Sequence, residues 1–546
     1  MDRRLALALL LSGLAVIVSS MLFPPAPRRA LPPRTADSVI APGDTTVATD
    51  TTVTQPQVSI ADPSNRIAAD TITVQTQRAV YHFSTRGATP VGVTLQQYPA
   101  LNRDSGAVRL VRDGTQLLSY RLIAGRDTVP LDQVTFTPDV LGSPSAADSI
   151  VFRGGTPVGN VVLVYDLDSE GYLLRVHGQL PPSATQLLIT IPQGLRSEEA
   201  NVADDRRYLA FALQPLRDDA RSVDFSKLDS AEIRRESGPF TWVASKNKYF
   251  LVALLAPEGG TPFPAAYLVG APREGGTATS ADVHVVVPIE GSAFSVELYA
   301  GPQEWRRLRT LGRNMEHANP YGGFMRGIVQ PFATIVMRML LWMHDTLRLS
   351  YGWVLVVFGI VVRIILWPLN QRAMRSSLKL QAIQPEMAAI QKKHRTNPQK
   401  QQEEMMRIYR EHGMTPFSMF GGCWPMLIPM PVLFALFFVF QNTIEFRGVS
   451  FLWLEDISLK DPYYILPFIM GVSMYVLSWI GMRNSPPNPQ AKMMSYMFPV
   501  IMTVALVNMA AGLNLYYAVQ NIAALPQQWL IARERARRAS PPAKAA

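Results

Sequence analysis

The sequence predicts a polytopic α-helical membrane protein of six spans, with a periplasmic β-sandwich domain and a cytoplasmic helical hairpin. Two observations predict this fold class. Residues 1–23 and the chain from about Met325 onward are strongly apolar, in stretches of about 20 residues that would cross a bilayer as helices. Between these parts, polar and apolar residues alternate in short runs broken by glycine and proline, a pattern typical of β-strands. The 546 residues therefore predict several independently packed units.

Charge and cysteine content narrow the class of protein. The formal net charge of +10 fits either nucleic acid or an anionic membrane surface as a partner. Many basic residues lie beside apolar stretches, which favours a role in membrane topology. The single cysteine, Cys423, excludes an intramolecular disulfide, and no cysteine lies near Phe23 to carry a lipid anchor.

The first third of the chain contains an anchor, a linker and the start of the β-rich domain. Residues 1–23 consist of a positively charged start and an apolar run, which together predict a membrane anchor; a cleaved signal peptide is the alternative. Residues 24–65, rich in Pro, Ala, Thr and Asp, predict a flexible linker because they bury too little apolar surface to fold. Residues 66–312 predict the β-sandwich. This domain contains no metal-ligand cluster, nucleophile elbow or phosphate loop, so we expect a passive or partner-binding role without catalytic residues, metal or cofactor.

The remaining chain alternates apolar spans with polar connections. Residues 313–350 predict an interfacial amphipathic helix region, with a core helix of the β domain as the alternative. We expect the second to sixth spans at 351–370, 417–441, 463–482, 493–510 and 511–531. The connections between and after them are a cytoplasmic helical hairpin, a periplasmic loop, a cytoplasmic loop and a basic cytoplasmic tail, at residues 371–416, 442–462, 483–492 and 532–546.

The distribution of charge orients the predicted spans. The hairpin and the tail are rich in Arg and Lys, whereas the loop 442–462 holds more acidic than basic residues. Because basic loops remain in the cytoplasm, both termini and the hairpin are predicted there, with the β-sandwich in the periplasm.

Arg363 is unusual because it is a charged residue inside the predicted second span. An arginine at membrane depth costs at least about 2.5 kcal/mol, and no acidic residue within the predicted spans would pair with it. We expect a hydrated groove beside it. Snorkelling is the alternative, since Leu369 at the cytoplasmic end lies only about 9 Å further along the helix.

Other residues of the membrane half fit such a groove. Polar side chains of the last span recur near one helical face, which favours either a groove wall or hydrogen bonds between helices; these are Asn514, Tyr517, Asn521 and Gln528. The third span, rich in Pro and Met, predicts an adaptable apolar surface along which a substrate could slide, with Met426, Met430 and Phe434 as its candidate residues.

At these positions the chain resembles the YidC/Oxa/Alb family of membrane protein insertases. The matching stretches cover nearly all of residues 351–530: Tyr351-Gly-Trp through Arg363 and Pro368-Leu369, Leu380-Gln-Ala-Ile-Gln-Pro385, Gly421-Gly-Cys-Trp-Pro425, Asp461-Pro-Tyr-Tyr-Ile-Leu-Pro467, Gly512-Leu-Asn-Leu-Tyr-Tyr517 and Gln520-Asn521. In the β-rich part, Phe83-Ser-Thr-Arg-Gly87, the stretch Trp242 to Phe250 and Tyr299-Ala-Gly-Pro302 resemble the periplasmic domain of the bacterial members.

The resemblance implies a five-helix core with a groove open to cytoplasm and lipid. Arg363 matches the groove arginine, and Tyr516 and Tyr517 match the tyrosine pair of the final helix. With Asn514 and Asn521 these residues form the candidate substrate-binding groove. Two positions depart from the pattern of the family: Pro429 stands where a groove glutamine is frequent, and Gly359 where some relatives carry threonine.

The implied function is insertion of integral proteins into the bacterial inner membrane, alone or with the Sec translocon. The implied partners are nascent membrane proteins, the lipid bilayer and, through the hairpin and basic tail, the ribosome. A polytopic transporter is the alternative, but it predicts inverted repeats or intramembrane carboxylates that the sequence does not show. An intramembrane enzyme using Cys423 and His344 is disfavoured because the predicted depths of the two residues differ.

Overall fold

The structure, a computed structural model, describes residues 70–539 except 103–105, 144–145, 169–170, 275–277, 320–325, 395–396, 412–429 and 483–488. The predicted anchor 1–23 and linker 24–65 therefore lie outside the described residues. So does the larger part of the predicted third span, which is described from Met430 onward.

Residues 71–302 fold into antiparallel β-sheets, because alternating sequences such as Ser119–Ala124 place every second side chain in the core. The strands are β1 Thr71–Gln75, β2 Ala79–Ser84, β3 Thr89–Pro99, β4 Ala107–Arg109, β5 Ser119–Ala124, β6 Asp127–Pro130, β7 Thr137–Ser143, β8 Ala146–Thr156, β9 Gly159–Leu167, β10 Leu173–Gln179, β11 Gln186–Ile191, β12 Ala210–Pro215, β13 Arg221–Asp224, β14 Ile233–Lys246, β15 Phe250–Leu255, β16 Phe263–Gly270, β17 Ala281–Val287 and β18 Ala293–Pro302. We call residues 70–312 the β domain.

Two sheets make up the β domain. The smaller sheet has the order β1-β2-β3-β4. The larger has 14 strands in the order β6-β5-β11-β17-β16-β14-β15-β18-β10-β9-β8-β7, with β12 and β13 added beside β14. Large aromatic side chains fill the core, and the Tyr120 and Tyr165 hydroxyls lie 2.6 Å apart within it. Tyr165 also donates to the carbonyl of Ala88 at 2.7 Å, so the buried phenol oxygen is satisfied.

Two short helices lie inside the β domain, and the others follow it. They are α1 Val202–Asp205, α2 Trp305–Thr310, α3 Arg326–Leu347, α4 Tyr351–Lys393, α5 Pro398–Glu411, α6 Met430–Asn442, α7 Ile465–Met482, α8 Pro489–Leu506 and α9 Ala511–Ala539. We call residues 326–539 the helical part. Its buried core joins α3, α4, α6, α7 and α9 through side chains such as Leu340, Phe358, Phe440, Met470 and Tyr516.

Two stretches of these helices are long and apolar enough to cross a bilayer, Tyr351–Pro368 and Ile465–Met482, and α8 holds a shorter apolar stretch, Lys492–Leu506. The structure therefore bears out two of the six expected spans by length and composition. The other spans stay predictions. No break separates the predicted second span from the first arm of the hairpin, because α4 continues through residue 370 and through Pro385 to Lys393.

The β domain contacts the helical part at the loop that follows α6. Arg447 donates through Nε to Glu199 at 2.8 Å, and both side chains are almost fully buried. Its Nη1 donates to the carbonyl of Pro99 at 2.9 Å. Beside them, the Tyr208 hydroxyl donates to Gln441 Oε1 at 2.7 Å. Residues about 200 to 350 positions apart in sequence thus hold the two parts together.

Candidate functional site

Arg363 lies on α4 with its side chain half-buried against α9. Its Nη2 donates to Gln527 Oε1 at 2.8 Å, and the amide nitrogen of Gln527 donates to the carbonyl of Trp367 at 3.1 Å. Gln527 is buried. Because an amide offers an acceptor and a donor, this one side chain fixes the guanidinium and ties the two helices together.

A second glutamine links the same helices two turns away. Gln520 Nε2 donates to the carbonyl of Gly359 and to the Tyr516 hydroxyl, each at 2.9 Å. Gly359 is one of the two positions at which this sequence departs from the pattern of the family it resembles. A Cβ there would lie 3.0 Å from a methyl group of Val519, so glycine permits the close approach of α4 and α9 at this point.

The remaining polar residues of α9 make other contacts. Asn514 is fully buried and donates to the carbonyl of Leu506 at 3.1 Å, which holds the turn between α8 and α9. Asn521 donates to the carbonyl of Met470 on α7 at 3.4 Å. Gln528 lies beside Gly481, which is also on α7. The final helix therefore has two polar faces: Gln520 and Gln527 toward α4, and Asn521 and Gln528 toward α7.

The two tyrosines differ in burial. Tyr516 is buried between Phe358 of α4 and Phe440 of α6, with ring centroids 5.9 and 5.5 Å away. Tyr517 is half-buried, its ring 5.7 Å from that of Tyr516. Tyr516 thus supports the packing of three helices, and Tyr517 is the more accessible of the pair.

The candidate sliding surface is described only in part. Phe434 on α6 is half-buried and packs against the helical core. Met430 begins α6, but its side chain is outside the described set, and Met426 lies outside the described residues altogether.

The guanidinium of Arg363 retains unused donors. Its buried Nε has no hydrogen-bond partner within the described residues. Over the same residues, no carboxylate lies within ion-pair distance of it, and no group of three or more His, Cys, Asp or Glu side chains is placed to hold a metal ion. The site can therefore attract an acidic or polar group to a place lined mainly by apolar helices.

Sequence reasoning missed Gln520 and Gln527 as the residues that link α9 to α4. Both are polar in an apolar stretch and lie seven residues apart, which places them on one helical face. That spacing was the available signal. It was masked because Asn521 and Gln528, one position further on, have the same spacing.

Two family models match this chain. The model described as YidC periplasmic domain matches residues 71–335, and the one described as 60Kd inner membrane protein matches residues 342–538. The membrane protein insertase YidC of Chlorobium phaeovibrioides is 30% identical over 481 residues, which cover 82% of this chain and 81% of that protein. The chain belongs to the YidC family. This match confirms the predicted family. It also confirms the prediction of a membrane protein that carries a periplasmic β-rich domain.

Two further YidC proteins match larger shares of this chain. The membrane protein insertase YidC of Pelodictyon phaeoclathratiforme is 28% identical over 97% of this chain and 94% of its own. An active YidC insertase crystal structure with the first transmembrane domain resolved matches 84% of this chain and 92% of that chain, at 19% identity and a TM-score of 0.35. The YidC family is not an enzyme family, and these comparisons give no support to the transporter alternative.

Proposed function

We propose that this protein inserts integral membrane proteins into the bacterial inner membrane, using Arg363 to receive the polar part of the arriving chain. One observation carries the proposal: an arginine inside an apolar helix is fixed by a buried glutamine and keeps donors free. The names of its YidC relatives as insertases support the same function.

The physical obstacle to insertion is the transfer of a polar segment through hydrocarbon. Each unpaired peptide group that leaves water costs several kcal/mol. A hydrated groove reaching partway into the bilayer shortens the dry distance. We propose that Arg363, Tyr517 and Asn521 line this groove, while the buried Asn514 and Tyr516 hold its wall in place.

The apolar part of the substrate would follow a different path. Its helix would slide along α6 and α9 into lipid, with Met426, Met430 and Phe434 as contacts on the first of these. The gain in apolar burial then drives release of the substrate. No nucleoside triphosphate motif occurs in the sequence, so the free energy of insertion should come from burial of the substrate and not from hydrolysis.

We further propose the orientation that the charges favour. Both termini, the helical hairpin and the basic tail would lie in the cytoplasm, where the hairpin and tail would meet the ribosome and the nascent chain. The Sec translocon would be a partner for larger clients.

Reconstitution tests the proposal. The purified protein in liposomes is offered a small single-span substrate with a short acidic segment, and insertion is measured by protease protection of that segment. Arg363→Ala should lower the insertion rate about tenfold, the size of one charge-assisted hydrogen bond. Arg363→Lys should retain a larger part of the activity, since the charge remains.

Two comparisons make the result specific. Arg235→Ala, which removes an exposed arginine of β14 in the β domain, should insert the substrate at the wild-type rate. A substrate with an uncharged segment should depend less on Arg363 than the acidic one. Equal insertion of both substrates by wild type and Arg363→Ala would exclude Arg363 as the receiving group.

A further inference from the structure

The β domain contains a cavity of about 290 Å³ that the proposed function does not use. We call it the arginine cavity. It is lined by Arg112, Asp113, Leu195, Arg196, Ser197, Val202, Asp205, Arg206 and Leu209. Three arginines face two aspartates, so its charged lining is net positive. The volume is close to the lower end of the range for small-molecule sites.

Two of the arginines have no carboxylate partner within ion-pair distance among the described residues: Arg112 and Arg206. Arg112 is anchored by a hydrogen bond from Nη2 to the carbonyl of Thr279 at 2.8 Å. Burial lowers the pKa of Arg112, and repulsion from the nearby Arg206 lowers it further, against the attraction of Glu274. The guanidinium groups of Arg112 and Arg206 thus lie close enough to repel each other, and the attraction of Glu274 on Arg112 acts from beyond ion-pair distance.

The two carboxylates of the lining are already engaged. Asp113 lies 2.5 Å from Arg196, the third arginine. Asp205 accepts hydrogen bonds from the backbone nitrogen of Lys248 at 3.1 Å and from the side chain of Asn247 at 3.3 Å. The positive charge of Arg112 and Arg206 is therefore available to a ligand from outside the chain.

The cavity lies at the end of the β domain that meets the helical part. Leu209 of the wall is preceded in sequence by Tyr208, whose hydroxyl donates a hydrogen bond to Gln441 near the end of α6. Glu199, two residues after Ser197, pairs with Arg447 in the loop that follows α6. The segment that forms the wall of the cavity is thus the one that contacts the end of an apolar helix.

We propose that the arginine cavity binds a phosphate group, held between the guanidinium groups of Arg112 and Arg206. Arginine is suited to this ligand because its planar donors match phosphate oxygens in pairs. The side chains of Leu195, Val202 and Leu209 provide an apolar wall for the organic part of a phosphodiester. The phosphate belongs either to a phospholipid headgroup of the adjoining leaflet or to a free phosphate in solution.

Titration of the full-length protein with inorganic phosphate tests the site itself. The protein is purified in detergent, stripped of lipid and titrated by calorimetry in a chloride buffer. We expect saturable binding to the wild type. Arg206→Gln should weaken it at least about tenfold, the effect of one charge-assisted contact. Arg206 is exposed and makes no described side-chain bond, so this variant should fold; Arg112→Gln is the second test.

The matched control is Arg207→Gln. Arg207 is the next residue in the same 3₁₀ turn, is also exposed, and does not line the cavity. Its loss removes the same charge from the same surface, so unchanged binding would show that position and not net charge matters. Equal weakening by Arg206→Gln and Arg207→Gln would overturn the proposal.

Native mass spectrometry of the protein released from phospholipid nanodiscs separates the two sources of phosphate. One more phospholipid retained by the wild type than by Arg206→Gln identifies a headgroup. Phosphate binding without a difference in retained lipid identifies a free phosphate. If the wild type neither binds inorganic phosphate nor retains more lipid than Arg206→Gln, the arginine cavity is not a phosphate site. None of these readouts depends on insertion activity.

Discussion

Gln527 is the residue that fixes Arg363 in place. Its amide accepts from the guanidinium and donates to the carbonyl of Trp367, one turn further along α4. Burial makes the arrangement selective, because a buried polar group that loses its partner costs about 1–3 kcal/mol. The half-buried arginine therefore depends on a residue of another helix for its position.

We predict that Gln527→Ala reduces insertion of an acidic segment several-fold, but less than Arg363→Ala does. The guanidinium would keep its charge and lose its fixed orientation. A double-mutant cycle measures the coupling: Arg363→Ala with Gln527→Ala should be hardly slower than Arg363→Ala alone. The readout is the liposome insertion rate.

The neighbouring Gln528 provides the matched control. It has the same side chain, but lies beside Gly481 of α7. Gln528→Ala should leave the coupling to Arg363 unchanged. Equal losses from both alanine variants, additive with Arg363→Ala, would contradict a positioning role for Gln527.

At this scale the sequence predicts the charged residue and not its partner. Arg363 is visible because one charge in an apolar stretch is costly wherever the helix packs. Gln527 could not be selected over Gln528, since both are glutamines in the same stretch and only the rotation of α9 against α4 distinguishes them. The predicted roles of Asn514, Tyr516, Tyr517 and Asn521 in substrate binding stay predictions.

Among the elements, the loop after α6 forms the junction between the two parts of the molecule. Glu445 in this loop is half-buried and accepts from the backbone nitrogen of Trp305 at 3.4 Å. Burial raises the pKa of Glu445 to about 7, and repulsion from Glu304 acts in the same direction. The pKa of Glu199 in the same junction is also raised to about 7 by burial, although its partner Arg447 opposes the shift.

We predict that the junction loosens as the pH rises from 5 to 8. A carboxyl whose pKa is higher in the folded state stabilises the fold fully below its ordinary value near 4.5, and this stabilisation is lost as pH rises through about 7. Hydrogen exchange of residues 305–317 and 444–461, corrected for the intrinsic pH effect, should show an opening free energy lower by about 1–3 kcal/mol at pH 8.

Glu445→Gln should reduce this pH dependence, because the amide remains neutral throughout; Glu199 accounts for the remainder. The control is Glu455→Gln, which changes an exposed carboxylate of the same loop and should preserve the wild-type response. Protection that increases with pH in the wild type would show that Glu445 is stabilised as the anion.

The sequence predicts elements better than their ends. Alternation of polar and apolar residues predicts strands such as Thr71–Gln75, because one face of the strand is more buried than the other. The change from apolar to basic composition predicts a boundary near residue 370, whereas α4 continues across it to Lys393. Composition alone does not end a helix, because basic residues, glutamine and alanine all favour it.

The whole molecule combines two parts with opposite surfaces. The β domain buries most of its apolar residues in one core. The helical part exposes many large ones, as a protein surrounded by lipid requires; Ile364, Phe468, Val500, Trp529 and Leu530 are all at least half exposed.

We predict that Val472→Lys destabilises the protein in the membrane, whereas Ile233→Lys does not. The two side chains are similarly exposed, 46% and 51%, but Val472 lies in the apolar stretch of α7 and Ile233 on the β domain. A lysine at the centre of a span costs about 2.5–3.5 kcal/mol on insertion scales. The yield of folded protein in the membrane fraction measures the effect. Equal yields of both variants would contradict a lipid-facing α7.

The division into these two parts was predictable because the hydrophobic period changes near the end of the β domain. Their attachment was not. Arg447 and Glu199 are 248 positions apart, and each looks like an ordinary charged residue until the fold brings them together. The pair is buried, so removing one partner should cost more than an exposed ion pair contributes.

The unbroken helix α4 has a mechanical consequence. From Arg363 to Lys393 it extends for about 45 Å, at 1.5 Å per residue. Backbone hydrogen bonds connect this length except at Pro368 and Pro385, which lack an amide hydrogen. A displacement of the Lys393 end is therefore transmitted toward the guanidinium, with bending concentrated at these two prolines. A partner that binds the Lys393 end of α4 would therefore also shift the guanidinium of Arg363.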